Sequence, residues 1–295
     1  METEELYHEY KPLLFSLAYR MLGSVMDAED IVHDAFLSFN HLENKETIKN
    51  PKAFLCKIVT NRTIDKLRSA AHKRNEYVGT WLPEPLVEEK NDPSHSYIMK
   101  ESISMAYLLL LQQLSEIERA VFILREVFQY EYDEIADIVD KKSTNCRQIF
   151  HRAKKSMGEE PKTSKTELAK MTIKVEQFIK ALQRADISQM LETLRGDAVF
   201  KSDGGGKVKT AINPIYTAER IVQLFISVIK KLPEGASFKY KVVNDRPGIV
   251  VNINELAAYV VSFEFIDDKI STIFMMANPD KLVHINRTAS GSLEL

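Results

Sequence analysis

The sequence predicts a multidomain protein, two all-α modules followed by an α+β domain. Three observations predict it. Apolar residues recur at helical spacing from the first turns to about residue 157. Four alternating runs, Ser237–Val243, Gly248–Ile253, Ala257–Phe265 and Ser271–Ala277, read as strands with turns at Arg246-Pro247-Gly248 and Asp267-Asp268. Between the two helical modules, Pro83, Pro85 and Pro93 enforce an extended path. The expected boundaries are a bundle at 1–75, a proline-containing linker at 76–100, a second helical module at 101–160, an α+β domain at 161–287 and a tail at 288–295. The closing Gly291-Ser292-Leu293-Glu294-Leu295 is set aside as in part an expression remnant.

Composition bounds the function. With 295 residues, 44% hydrophobic and 28% charged, each module can bury a core, as in a soluble globular protein. The net charge is −2, so any affinity for nucleic acid has to be local. Cys56 and Cys146 each fall on an apolar stripe and read as small buried hydrophobes, not as a disulfide or metal pair. No apolar run is long enough for a bilayer and no secretory leader opens the chain, so the expected setting is the reducing cytoplasm, with no membrane partner and no cofactor.

In the first module, Tyr10, Leu13, Leu14, Leu17, Ala18 and Met21 form a stripe ended by Gly23. A second helix is expected to start at Asp27-Ala28-Glu29-Asp30, acids in the first turn where the dipole favours them, with Ile31, Val32, Ala35, Phe36 and Phe39 inward. After the polar loop His41–Lys49, Asn50-Pro51 caps and opens a third helix, which carries Asn61, Arg62, Asp65, Lys66 and Arg68 near its end, with Lys73 and Arg74 just beyond. The linker holds Trp81-Leu82-Pro83-Glu84-Pro85. A tryptophan in a linker is an unusual use of apolar area, and it is expected to dock on another domain or in a local tuck. A turn at Asn91-Asp92-Pro93 and a return to helix near Ser96 follow.

The most informative stretch is 141–155. It has six Lys or Arg and no acid. At helical spacing Cys146, Ile149, Phe150 and Ala153 form one stripe, leaving Thr144, Arg147, Gln148, His151, Arg152 and Lys155 mostly off it. A short helix over Glu131–Val139, a turn at Asp140-Lys141-Lys142 and a cap at Ser143 make a helix-turn-helix, whose second helix enters the major groove. Arg and Gln can read guanine and adenine edges bidentately. An ordinary solvated basic face would look similar.

Four motifs then carry a resemblance. Ala28-Glu29-Asp30-Ile31-Val32-His33-Asp34-Ala35-Phe36-Leu37 resembles the polymerase-binding helix of bacterial extracytoplasmic-function (ECF) sigma factors. Asn61-Arg62-Thr63-Ile64-Asp65-Lys66-Leu67-Arg68 resembles the end of their promoter-melting helix. Leu114–Phe122 and Tyr132–Ala136 resemble the first helices of their second DNA-binding domain, which puts 141–155 at the recognition-helix position. The resemblance implies that Asp27, Glu29, Asp30 and Asp34 face core RNA polymerase, with the β′ clamp and β flap as docking surfaces. It implies that Asn61, Arg62, Lys66 and Arg68 contact the −10 strand beside a base pocket in the His41–Lys49 loop, since melting recovers stacking energy through an extruded-base pocket and backbone charge. The third helix departs from the pattern in lacking a dense aromatic cluster. It further implies that Thr144, Arg147, Gln148 and His151 read the −35 element of promoter DNA, with Lys141, Lys142, Arg152, Lys154 and Lys155 on phosphates.

The last domain opens with helices at Ala169–Leu182, to about Leu194, and at about Ala218–Lys231, before the strands. Helices and then a curved antiparallel sheet suit an α+β cone, and the order resembles the SnoaL-like cone, a fold that encloses an apolar pocket. Asp203-Gly204-Gly205-Gly206-Lys207, the Trp81–Pro85 run and Asn278-Pro279-Asp280-Lys281-Leu282 resemble the SigJ-like subgroup of ECF sigma factors, in which such a domain is fused C-terminally and modulates activity in place of a separate anti-sigma protein. The implied regulatory contacts are Trp81, Pro83, Pro85, Asp203, Gly204, Gly205, Gly206, Lys207, Asn278, Pro279 and Asp280, with a small ligand of unknown identity in the pocket. The triple glycine lacks the spacing of a phosphate-binding loop, and Asp203 has no partner base or second acid at a recognisable spacing, so no catalytic residues are expected. Two other readings stay open on the sequence: a ligand-responsive helix-turn-helix regulator that is not a polymerase subunit, and a SnoaL-type isomerase or cyclase with a DNA-binding extension.

Overall fold

The computed structural model describes residues 3–43, 45–74, 77–88, 103–158 and 163–291. The expected Asn91-Asp92-Pro93 turn, the helix near Ser96 and residues 292–295 lie outside the described residues. The chain divides into two compact units. One takes 1–76, 89–101 and 107–161; the other takes 77–88, 102–106 and 162–295.

The first unit is all-helical. Helix α1 (Thr3–Leu22) ends at Gly23, whose φ of +69° only glycine adopts cheaply and whose N–H closes on Tyr19 O. Helix α2 (Val25–Asn40) begins two residues before the expected start: Ser24 is the N-cap and accepts from Asp27 N at 3.2 Å. The acids at 27–30 fill the first turns rather than open them. Helix α3 (Pro51–Arg74) is capped by Asn50, whose Oδ1 accepts from Ala53 N, and it runs through Lys73 and Arg74 instead of ending before them. Helices α4 (Met105–Leu111, of which Met105 and Ala106 belong to the second unit), α5 (Glu116–Glu126), α6 (Tyr132–Val139) and α7 (Ser143–Met157) complete the unit.

The turn between α6 and α7 is set by Asp140 at φ +52°. Lys142, not Ser143, is the N-cap of α7 and makes no side-chain cap bond; Ser143 is the first helical residue. The left-handed Asp140 and the Lys141 N–H to Ala136 O bond tighten the turn by one residue against the expected cap.

Arg119 fixes the packing inside this unit. Only 3% exposed, its guanidinium donates to Met21 O at the end of α1, to Gln112 Oε1 at 3.0 Å and to Leu114 O at 3.1 Å. Tyr130 Oη donates to Cys56 Sγ at 3.2 Å on α3. Both cysteines are free and buried, as their stripes required.

The second unit is a helix-backed sheet. Helices α8 (Lys165–Gln183) and α9 (Ile187–Thr193) lead into β1 (Leu194–Asp203) and β2 (Ile215–Tyr216). Then come α10 (Ala218–Ile229), β3 (Ser237–Val243), β4 (Arg246–Ile253), β5 (Leu256–Ile266), β6 (Lys269–Met276), a 3-10 turn (Pro279–Lys281) and α11 (Val283–Gly291). Strand order is β2-β1-β6-β5-β4-β3. The four expected strands form the antiparallel run β3–β6. The additional strand β1 lies parallel to β6, so the sheet is mixed at that edge. Register shifts near Glu264/Phe265, Val251/Asn252 and Leu194/Val199 bend the strands. Phe178, Phe200, Phe263, Ile221 and Ile273 fill the core between helices and sheet. No helix among the described residues is long and apolar enough to cross a membrane.

Candidate functional site

Three constellations stand out. On α7, burial of Cys146, Ile149, Phe150, Ala153 and Met157 turns the opposite face outward. Thr144, Arg147, Gln148, His151, Arg152, Lys154 and Lys155 are all exposed. Arg147 lies over the Tyr132 ring at 5.2 Å, and Lys154 pairs with Glu126 at 3.0 Å. Lys154 is thus held to a neighbouring helix.

The second constellation joins two groups that the resemblance gave to different partners. Arg62 on α3 pairs with Asp34 on α2 at 3.1 Å and donates to Ser38 Oγ at 2.8 Å. Lys66 pairs with Asp27 at 2.7 Å. Arg68 pairs with Glu116 at 3.1 Å, and this contact with the helix N-terminus holds the Glu116 carboxyl below its ordinary range, backbone hydrogen bonding first and Arg68 second. Asn61, Glu29 and Asp30 are exposed. Sequence spacing gave no signal for pairs 28 or more residues apart.

The third constellation lies within the second unit, where residues 77–88 run across the sheet domain. Asp203, at the end of β1, is fully buried and organises the contact. Its Oδ1 accepts from Tyr77 Oη at 2.5 Å and from Gly205 N at 3.0 Å. Its Oδ2 accepts from Leu82 N at 2.8 Å and from Lys281 Nζ at 2.8 Å. Lys281 also donates to Leu82 O at 2.6 Å and sits over the Trp81 ring at 4.3 Å and the Tyr77 ring at 4.9 Å. Burial, then the Asp203 hydrogen bond, pushes the Tyr77 phenol well above its ordinary range, so it stays a donor. Asn278 Nδ2 donates to Tyr77 Oη at 2.9 Å, and Lys207 pairs with Asp280 at 2.6 Å.

Pro83 and Pro85 are buried, and His284 Nε2 lies 2.9 Å from Pro85 O. Leu86 N donates to Asn244 Oδ1 at 3.1 Å, Asn244 N to Leu86 O at 2.9 Å and Glu88 N to Val242 O at 2.9 Å. The connector is therefore added to the outer edge of β3, covering main-chain groups that an edge strand leaves open. Every residue singled out for regulatory contact lies in or beside this arrangement, Pro279 as the exposed first residue of the turn that carries Asp280 and Lys281. Tyr77, Asn244 and His284 were not singled out, and Lys281 entered only as part of the Asn278–Leu282 motif, not as a contact residue in its own right. Lys281 reads in sequence as one more surface lysine in a polar turn.

The triple glycine has a steric reason. Gly205 has φ +57°, and a Cβ there would lie 2.2 Å from Asn278 Nδ2; one on Gly204 would lie 2.2 Å from Val208 O. The loop is closed against backbone and the Asn278 amide, not shaped to cradle a phosphate. Gly205→Ala is expected to weaken docking of the connector by about 1–2 kcal/mol from the left-handed backbone alone, with the displaced Asn278 adding to it. Faster protease cleavage within 77–88, at an unchanged far-UV spectrum, is the check.

Behind the sheet, Phe225, Val228, Phe238, Val251, Tyr259 and Met275 are among the residues lining a cavity of about 60 Å³.

The family models for Sigma-70 region 2 and Sigma-70, region 4 match residues 6–73 and 104–157. The chain is 29% identical to the ECF RNA polymerase sigma factor SigJ of Mycobacterium tuberculosis over 95% of this chain and 93% of that one. It is 25% identical to the ECF RNA polymerase sigma factor SigW of Bacillus subtilis over 50% of this chain and 82% of that one. The crystal structure of M. tuberculosis SigJ superposes with a TM-score of 0.77 at 25% identity, covering 96% of this chain and 98% of that one. Two sigma regions in the expected order, with an α+β domain behind them, make the chain similar to the ECF sigma factor SigJ along nearly its whole length.

Proposed function

We propose that this sigma factor binds core RNA polymerase and promoter DNA, and that its C-terminal cone modulates transcription initiation in cis through the connector. The observation that carries the modulating role is the docking of residues 77–88 on the cone around the buried Asp203–Lys281 pair. This is the segment between regions 2 and 4, so whatever holds it constrains how far the two promoter-reading regions separate. A signal acts on it only by binding the docked and undocked arrangements unequally.

The exposed face of α7 reads the −35 element, with Arg147 and Gln148 on base edges and Arg152 and Lys155 on phosphates. The pairs Arg62–Asp34 and Lys66–Asp27 are exposed and contribute about 0–1 kcal/mol each. They yield readily. Basic groups on the β′ clamp take up Asp27 and Asp34, together with Glu29 and Asp30. That frees Arg62 and Lys66 for the −10 strand, beside Asn61 and Arg68, and region 4 engages the β flap. The setting is cytoplasmic.

The cone's cavity accepts a small apolar ligand. Among the described residues that line it, Tyr259 is the one titratable side chain. We propose no reaction for the cavity.

Arg147→Ala is expected to cost about 1–3 kcal/mol of discrimination at one −35 position, whereas Lys155→Ala should weaken binding evenly across sequences and reduce the salt slope by about one. Binding of polymerase holoenzyme to promoters varied base by base, at two salt concentrations, separates the two. An even loss for both variants would remove the base-reading role.

A further inference from the structure

The connector is anchored at its far end too, by a largely buried ion pair that the docking site at Asp203 does not involve. Gly248 pairs with Ser262 across β4 and β5, so two residues on, Arg246 and Glu264 face each other. Arg246 Nε lies 3.2 Å from Glu264 Oε2, with side chains 5% and 16% exposed. Each member of the pair also grips a chain segment. Glu264 Oε1 accepts from Ala106 N at 3.3 Å, satisfying a first-turn N–H of α4, where a helix has no internal partner. Arg246 Nη1 donates to Thr163 Oγ1, just before α8. Ile103 and Ser104, beside the first grip, are buried.

We propose that Arg246 and Glu264 form a clasp that positions region 4 by fixing its entry at 103–106 and its exit at 163 on the sheet. The proposal rests on the reading of the chain as a sigma factor modulated through its connector. A chain of 30 residues spans at most about 100 Å and one of 14 about 50 Å. With 77–88 and 103–106 both held on the same sheet-bearing unit, that reach no longer sets the separation of the connector-side ends of regions 2 and 4; the positions of the two holds on the sheet do. The clasp is thus a second hold on the connector. It is independent of the lock at Asp203, because the two share no residue.

The buried charges make the grip specific. A guanidinium that leaves a carboxylate must take another acceptor, and Arg246 has one in Asp245 O at 3.4 Å. Loss of Arg246 leaves Glu264 without its cation while its bond to Ala106 N persists only as a neutral-partner hydrogen bond.

The test uses the full chain with Arg246→Met, Glu264→Gln and Thr163→Val. Amide exchange and promoter-dependent run-off transcription with core polymerase are both read. The expected result is exchange at 103–106 about ten-fold faster in Arg246→Met and Glu264→Gln, with strand-core exchange near Phe263 and Ile273 unchanged and run-off output raised. Thr163→Val should leave 103–106 exchange unchanged and raise output less. If Arg246→Met loosens the strand core as well, Glu264→Gln decides. Unchanged exchange at 103–106 overturns the clasp, and faster exchange with unchanged output overturns its positioning role. Failure of the sigma reading is distinct: the unaltered chain would then give no promoter-dependent transcript.

Discussion

Lys281→Met is expected to lower the unfolding free energy of the C-terminal unit by about 3–5 kcal/mol, the usual cost of removing one partner of a buried ion pair. Methionine is close to lysine in length, so little cavity forms, and the loss comes from the stranded partners. Asp203 Oδ2 would keep only Leu82 N, and Leu82 O would lose the ammonium that now sits 2.6 Å away. The cation–ring contacts with Trp81 and Tyr77 go as well. Trp81 is the only tryptophan in the chain, so its emission reports the docked connector directly. Chemical denaturation should show the loss, and native-state emission should shift toward that of a solvated indole. A change under about 1 kcal/mol with unshifted emission would place the energy of docking in the proline and β3-edge contacts instead.

The second large effect is expected in the first unit. Arg119→Met should cost about 2–4 kcal/mol, since hydrogen bonds to a charged donor contribute about 1.5–3 kcal/mol and two buried carbonyls lose theirs. Those carbonyls, Met21 O and Leu114 O, belong to segments about ninety residues apart, one closing α1 and one preceding α5. The variant therefore loosens region 2 from region 4 within the unit. Arg68→Ala is the contrast. Its pair with Glu116 is exposed, and its loss should cost no more than about 1 kcal/mol. Equal destabilisation by the two substitutions in urea titrations would contradict the assignment of the interface to Arg119.

Much of this architecture was legible because amphipathic faces are written at fixed periods. The stripe Cys146, Ile149, Phe150 and Ala153 is buried, and the polar residues between them are exposed, as the spacing required. The strands over 237–277 were legible for the same reason, but the turn expected at Arg246-Pro247-Gly248 falls at Asn244-Asp245, both in the left-handed region that Asn and Asp tolerate, and β4 already starts at Arg246. Strand β1 was not legible. Its burial alternates irregularly through Leu194–Asp203, and it opens on charged Arg195 and Asp197, which pair with each other at 2.8 Å. Its parallel pairing with β6 is a long-range match that local pattern does not encode.

The charges were the harder part. Asp203 was legible through the glycines that follow it, but Lys281, Arg246 and Glu264 are of residue types that usually face water. Only the fold shows Lys281 and Arg246 buried and Glu264 largely withdrawn from water. Likewise, the acids of α2 and the bases of α3 read as two separate faces in sequence, and they meet because the helices pack side by side.

Run-off transcription from a promoter template with core polymerase, comparing the unaltered full chain with Lys281→Met below its unfolding transition, tests the central claim most directly. The account predicts a promoter-dependent transcript from the unaltered chain and a larger yield from the variant whose connector is undocked. A transcript of identical yield from both proteins, with Trp81 emission showing the connector released, would contradict modulation through the connector, and no promoter-dependent transcript from either would contradict the function itself.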